Sequence, residues 1–328
     1  MPSSSLLIGS LAVASIVAPA VARVPGKRSS SESYTLVQTW EGSDFFDYFD
    51  FYTGADPTDG FVDYLDKASA ESAGLVNITS SGSVYLGVDY TTTLTSSSAG
   101  RSSVRLDGTQ YFDHGLFIAD IQHMPGSICG VWPAFWTTGE TWPTDGEIDI
   151  IEGVNLMDYN EVVAHTGNTC IMNSTDMTGT LTNADCSETS STTGCVVEGA
   201  TGSYGTSFND GNGGVYAMQW TDDFIKIWFF ARDSIPTSIT DGTPDVSAFG
   251  TPLANLQGSC DIAEQFQAQR FVFDTTFCGD WAGGVFLETT CPISDSSSGT
   301  ASCVDYVAAN PSAFEEAYWE INSIKIYQ

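Results

Sequence analysis

Apolar and polar residues alternate along most of this chain with a period of two, in short runs bounded by Gly, Ser, Thr, Asn and Asp. Such alternation points successive side chains to opposite faces and reads as half-buried strand. The runs fall at 35–40, 75–78, 84–88, 116–121, 130–136, 147–152, 162–165, 215–220, 224–231, 270–273 and 317–327. Helical periodicity is scarce. Many short strands separated by turn signals predict an all-β fold of two packed antiparallel sheets, a sandwich or jelly roll. The 224–231 run is almost continuously apolar and predicts a central strand covered on both faces. The polar stretch 175–214, with two cysteines, reads as a long stapled loop, and 294–302 as a smaller Ser/Gly-rich loop. No internal repeat, linker or appended binding module breaks the pattern.

One apolar run has a different meaning. Leu6 to Ala18 is too short to span a bilayer and precedes the small-x-small site Ala20-Val21-Ala22. Residues 1–22 therefore read as a signal peptide. Residues 23–28 read as a short propeptide ending in the dibasic pair Lys27-Arg28, and 29–328 as one domain of a secreted, soluble protein. The C-terminal Ile324-Lys325-Ile326-Tyr327-Gln328 is no lipid-anchor signal.

Charge narrows the partners. Of ten basic residues, Arg23, Lys27 and Arg28 lie in the leader, leaving seven against 41 acids and a formal charge of −34. Such a surface repels nucleic acid and anionic membranes and suits a neutral substrate in mildly acidic surroundings. Eight cysteines in a secreted chain are expected to form disulfides, with 105 pairings open to them. With no CxxC pair and only three histidines, zinc is not expected. Asn77-Ile78-Thr79 and Asn173-Ser174-Thr175 are glycosylation sequons.

The chemistry concentrates in Gly146-Glu147-Ile148-Asp149-Ile150-Ile151-Glu152-Gly153. In a regular strand Glu147 and Asp149 share a face and Glu152 points away. A β-bulge at Ile150–Ile151 returns Glu152 to their side, burying three isoleucines and aligning three acids along a cleft. Two carboxyls flanking a scissile bond are what glycoside hydrolysis needs. A solvated edge strand or an acidic Ca²⁺ site is the plainer alternative.

The octapeptide resembles the bulged E-x-D-x-x-E signature of glycoside hydrolase family 16. Its flanks match as well: Gly130-Val131-Trp132-Pro133-Ala134-Phe135-Trp136, Trp142-Pro143, Ala164-His165-Thr166, Phe277-Cys278-Gly279-Asp280-Trp281-Ala282-Gly283, and Trp319-Glu320-Ile321-Asn322-Ser323-Ile324. These look like the fungal endo-β-1,3(4)-glucanase, laminarinase-type branch. The resemblance implies a β-jelly-roll with a concave substrate cleft and a retaining mechanism on β-1,3 and mixed β-1,3/1,4 glucans. It makes Glu147 the nucleophile, Asp149 its electrostatic partner and Glu152 the acid/base. Along a straight strand positions 147 and 152 lie about 13–16 Å apart. Retention requires carboxyls ~5–5.5 Å apart, so bulging, curvature and inward-leaning Glu side chains must close the gap.

For the neighbours, Trp142 and Trp281 are expected to be sugar platforms, Trp136 cleft or core, and His165 a hydroxyl ligand or a tuner of Glu152. Arg105 is expected to be a cleft donor, unless it pairs with an acid. Trp132, Trp220, Trp228 and Trp319 default to core, as large aromatics usually do. No cofactor is expected for catalysis. A structural Ca²⁺ ion is compatible with the family, but no ligand loop indicates one. The expected partner is the glucan alone, met by a monomer. The competing readings are a glucan-recognition protein, which typically loses an acid, and a wall transglycosylase. The latter uses the same acids, and the missing anchor signal and chitin-binding module speak against it.

Overall fold

The computed structural model describes residues 34–189 and 193–328, so the expected leader and propeptide lie outside the described residues. The described residues form one compact unit. Two eight-stranded antiparallel sheets build it. The acid-bearing sheet runs, edge to edge, Thr180–Asn183, Cys195–Glu198, Glu161–His165, Glu147–Glu152, Val131–Thr138, Arg270–Phe277, Arg105–Gly108, Phe49–Phe51. The outer sheet runs Ala254–Leu256, Ile225–Ala231, Gly214–Trp220, Gly115–His123, Trp319–Tyr327, Val84–Leu86, Val76–Ile78, with Leu36–Trp40 also pairing with Trp319–Tyr327.

Side-chain alternation assigns the faces. Ile148, Phe135, Phe271, Phe273, Leu106, Val162 and Ala164 of the first sheet meet Phe117, Ala119, Tyr216, Met218, Ile227, Ile321 and Ile324 of the second in one core. Their register neighbours Glu147, Asp149, Trp136 and Asp274 stand on the other face. Burial of this many large apolar groups, at ~25 cal/mol per Å² removed from water, makes the register hard to slip. A one-residue shift would place the acid row inside the sandwich.

Three expectations are corrected. The 224–231 run is not central: Ile225–Ala231 lies one strand from the sheet edge. Its outer apolar residues are instead covered by the loop carrying Ile239 and Phe249, with Trp228 and Phe249 edge-to-face. The 175–214 stretch is not simply a loop. It folds Thr180–Asn183 and Cys195–Glu198 onto the acid-bearing sheet and adds the helix Gly205–Asp210. Thr180–Asn183 has one apolar residue, Leu181, and the apolar run Cys195-Val196-Val197 is too short to stand out there. Finally, the Ser/Gly-rich segment 294–302 runs into the helix Gly299–Ala309, whose N-cap Ser298 accepts from the Ala301 amide.

The eight cysteines form Cys129–Cys291, Cys170–Cys260, Cys186–Cys195 and Cys278–Cys303. They close loops of very unequal length, with separations of 162, 90, 9 and 25 residues. In the chain-entropy description, closing 162 residues is worth about 5 kcal/mol and closing nine about 2.6. The Cys129→Ser/Cys291→Ser protein should therefore lose more thermal stability than Cys186→Ser/Cys195→Ser in paired calorimetric scans. The native protein should show no reactive thiol until it is denatured and reduced. Free thiols under denaturing, non-reducing conditions would contradict the pairing.

Candidate active site

The expected bulge is present. Asp149 pairs with Trp136 and Ile151 with Phe135, the next residue back, so Ile150 is the extra residue. Beyond Asp149 the strand also leaves its other neighbour, because its pairing with Glu161–His165 covers only Glu147, Ile148 and Asp149. The backbone groups orphaned there find one side chain. Asn160, fully buried, donates from Nδ2 to the Ile150 carbonyl at 2.9 Å and accepts the Glu152 amide at Oδ1, also 2.9 Å. Its own amide donates to Ser203 Oγ at 2.9 Å. Ile148, Ile150 and Ile151 are all buried, and Glu147, Asp149 and Glu152 share the opposite face.

Burial sets the charge states. Glu152 is pushed up to about 8, chiefly by loss of solvent; a hydrogen bond from Trp132 Nε1 to its Oε1, 2.8 Å, and His165 act against this. Asp149 is raised well above the carboxylate range by burial and by the charges of Glu147, Glu152 and Asp274. Its Oδ2 is buried without a hydrogen-bond partner. Glu147 is raised by burial but held back by His165 and Arg105. The row thus combines a proton-loaded carboxyl with one that keeps its charge more readily, the difference an acid and a nucleophile require.

His165 pairs across the ladder from Glu147. Its Nε2 stands 3.7 Å from both Glu147 Oε1 and Asp149 Oδ2, while Nδ1 meets Glu188 Oε1 at 2.5 Å. Burial pulls its pKa down, but Glu188, Glu147 and Glu152 outweigh it and the net shift is upward. Glu147, Asp149 and His165 each bring one ligand atom within 4.8 Å of the others, the one such cluster among the described residues. The 3.7 Å separations place the imidazole as a charge neighbour of both carboxyls.

The remaining expected residues fall along the same face. Arg105 does pair with an acid, Nε to Asp107 Oδ1 at 2.9 Å. Its guanidinium also lies 4.8 Å from the Tyr52 ring centroid and 5.0 Å from that of Trp136. Trp136 faces the site rather than the core and donates from Nε1 to Asp274 Oδ2 at 2.8 Å. Trp142 is 53% exposed beside Glu147, on the turn of the cis Trp142-Pro143 bond. Trp281 is half-buried and meets Trp132 edge-on, centroids 5.7 Å apart.

Trp132 itself is a correction. It is half-buried on the acid face with its indole N–H on Glu152, whereas Trp220, Trp228 and Trp319 are buried as expected. Its parity with Trp136 was the signal that could have placed it. Asn160, Glu188 and Asp274 were missed outright. Asp274, pushed up to about 7 mainly by burial, is registered beside Arg105, a pairing invisible without the sheet.

Comparison with known proteins identifies the family. The family model described as the XgeA-like catalytic GH16 domain matches residues 49–327. The chain belongs to glycoside hydrolase family 16, and within that family it falls in the XgeA-like group. It is 62% identical over 330 residues to a probable endo-1,3(4)-β-glucanase of Aspergillus niger, covering 100% of this chain and 43% of that protein. It is 56% identical over 329 residues to endo-1,3(4)-β-glucanase xgeA of Emericella nidulans, covering 99% and 52%. The chain spans about half the length of these curated relatives. Among solved structures, an elongating family 16 β-1,3-glucosyltransferase superposes with TM-score 0.88 at 58% identity, covering 90% of this chain and 100% of that one. Laminarinase 16A of Phanerochaete chrysosporium, with β-glucans in donor and acceptor sites, gives 0.84 at 42%, with the same coverage. Both are family 16 proteins, so the sandwich is the β-jelly-roll expected.

The Trp132 hydrogen bond has a testable sign. It favours the charged form of Glu152, so Trp132→Phe should raise that pKa further. The alkaline limb of kcat/KM should then move to higher pH, with a fall of about tenfold at the optimum for losing one charge-assisted bond. An alkaline limb that stays put or moves down would contradict the contact.

Proposed function

We propose that this domain cleaves internal linkages of β-1,3 and mixed β-1,3/1,4 glucans by double displacement, with Glu147 as nucleophile and Glu152 as acid/base. The observation that carries the reading is the bulge, which sets Glu147, Asp149 and Glu152 on one face, with Trp132 bonded to Glu152 and His165 against Glu147. Glu152, protonated below about pH 8, delivers its proton to the leaving oxygen as Glu147 attacks the anomeric carbon. Glu152, now ionised, then takes a proton from the incoming water and the glycosyl–Glu147 bond breaks. Asp149, uncharged beside Glu147, adds no repulsion to the nucleophile while it remains protonated. His165, steadied by Glu188, offsets negative charge on the row as it shifts between Glu147 and Glu152. Trp142 and the Trp132–Trp281 pair offer aromatic surface for the apolar faces of glucose rings.

The source is a secretory route. Four disulfides fit an oxidising compartment, and no helix among the described residues is long and apolar enough to cross a membrane. The glucan is the expected partner, bound by a monomer, with no cofactor in catalysis.

Transfer to a sugar in place of water is the second reading. It is favoured by the 58% identity to a protein described as a β-1,3-glucosyltransferase. Because the longer relatives extend well beyond this chain, the last residues here carry no weight against it. The two readings share every step up to the glycosyl-enzyme and separate at the acceptor. A glucan-recognition role is disfavoured because all three acids are present and aligned.

Product analysis on laminarin, lichenan and carboxymethylcellulose decides among them. Hydrolysis predicts new reducing ends from the first two and little from the third. Transfer predicts products longer than the donor, and recognition predicts neither. Equal rates on carboxymethylcellulose and lichenan would refute the specificity. The roles are separable by azide: Glu152→Ala should be rescued with a β-glycosyl azide from an activated aryl glycoside, and Glu147→Ala should give only the α-azide. The reverse pattern would exchange the two roles.

A further inference from the structure

The outer sheet carries a second organised row, far in register from the acids. Asn77 pairs with Tyr85, Tyr85 with Glu320, and Glu320 with His123, so four strands present these residues on one face. It is the solvent face, because the alternating residues Val76, Val84, Leu86, Trp319 and Ile321 lie in the core. Tyr318 covers the row: its ring stacks on His123 at 3.7 Å and 4° and meets Tyr85 at 5.1 Å and 31°. The Tyr85 ring lies down over Gly87, where an added Cβ would come within 2.6 Å of the ring. The absent side chain lets the ring lie flat on the backbone. The result is a half-exposed aromatic surface on a sheet that plays no part in the site described above.

Asn77 is exposed and begins the sequon Asn77-Ile78-Thr79. Directly paired antiparallel residues hold their Cβ atoms about 4.5–5.5 Å apart. A group attached to Asn77 Nδ2 is therefore delivered onto the neighbouring ring. We propose that Asn77 is an N-glycosylation site whose first N-acetylglucosamine packs its apolar face on Tyr85 and Tyr318, making the glycan part of the fold. The donor is a lipid-diphosphate-linked oligosaccharide. Asn77 Nδ2 displaces the lipid diphosphate from C1, a C–O bond breaks and a C–N bond forms, and the nitrogen loses one proton. Nothing is oxidised. Covalent attachment holds the sugar at high local concentration, so even a weak stacking contact stays populated. The second sequon serves as an internal control: Asn173 is exposed too, but its neighbour across the ladder is Gln257, bonded through the backbone, with Gly258 beside it and no ring. The inference rests on the secretory reading and is independent of the catalytic one.

The test uses protein secreted from a fungal host. Intact glycopeptide mass should show Asn77 occupied. Against Asn77→Gln, the glycosylated protein should melt about 2 °C or more higher, the order expected for a contact worth ~1 kcal/mol in a domain this size. Enzymatic trimming to a single N-acetylglucosamine should keep the increment. Tyr85→Phe should keep it as well, and Tyr85→Ala or Tyr318→Ala should erase it. Should one alanine variant fail to fold, the other together with Tyr85→Leu reads the same increment. Removing the Asn173 sequon should move the melting point less. An empty Asn77, or an increment that survives loss of both rings, overturns the proposal. So does binding of laminari-oligosaccharides to the Tyr85 face when the glycan contributes no increment, because the row would then be a glucan platform.

Discussion

The active-site arrangement depends on one local constraint, the extra residue at Ile150 and the Asn160 side chain that pins it. Without the bulge, period-two geometry sends Glu152 into the sandwich with the isoleucines. With it, Ile148, Ile150 and Ile151 stay in the core while Glu147, Asp149 and Glu152 share a face. A bulge leaves backbone groups unpaired, and each buried one costs about 1–3 kcal/mol if unsatisfied. One amide side chain bonds to both groups across the bulge.

Electrostatics follow from that placement. Aligning three carboxyls in a buried row raises all three, and few cations are at hand to oppose it. His165 lies nearest, and Arg105 acts from the next strands while already committed to Asp107. The asymmetry among the acids therefore comes from their individual neighbours. Trp132 contacts only the Glu152 end, and His165, fixed by Glu188, lies against Glu147 and Asp149. A chain with seven basic residues outside its expected leader has little else to tune with.

What could be read from the sequence was local. The strand Glu147–Glu152 begins and ends where the pattern put it, and the bulge was legible because a charged residue broke strict alternation. Sheet number and the major strands followed from the same periodicity. The edge strand Thr180–Asn183 was hidden by its polar composition, and Cys195–Glu198, though apolar and buried, by its shortness within a polar stretch. Contacts between distant segments were not legible: Asp274 meets Trp136 across 138 positions, and Glu188 reaches His165 from a disulfide-closed loop. Trp132 lay between these cases. Its face could be read from its spacing to Trp136, but a general preference for buried tryptophan was given more weight than that spacing.

The most direct test of the account is the Asn160→Ala protein, assayed at low temperature where it remains folded by circular dichroism. Losing both bonds should let Glu152 leave the acid row while Glu147, still paired with His165 and Thr138, stays in place. Turnover of laminarin should fall by about 10²–10⁴, the usual worth of a positioned general acid, while the first step on an aryl glycoside with a good leaving group should be largely retained. A folded Asn160→Ala protein with undiminished laminarin turnover, or an equal loss on both substrates, would contradict the claim that the pinned bulge positions the acid.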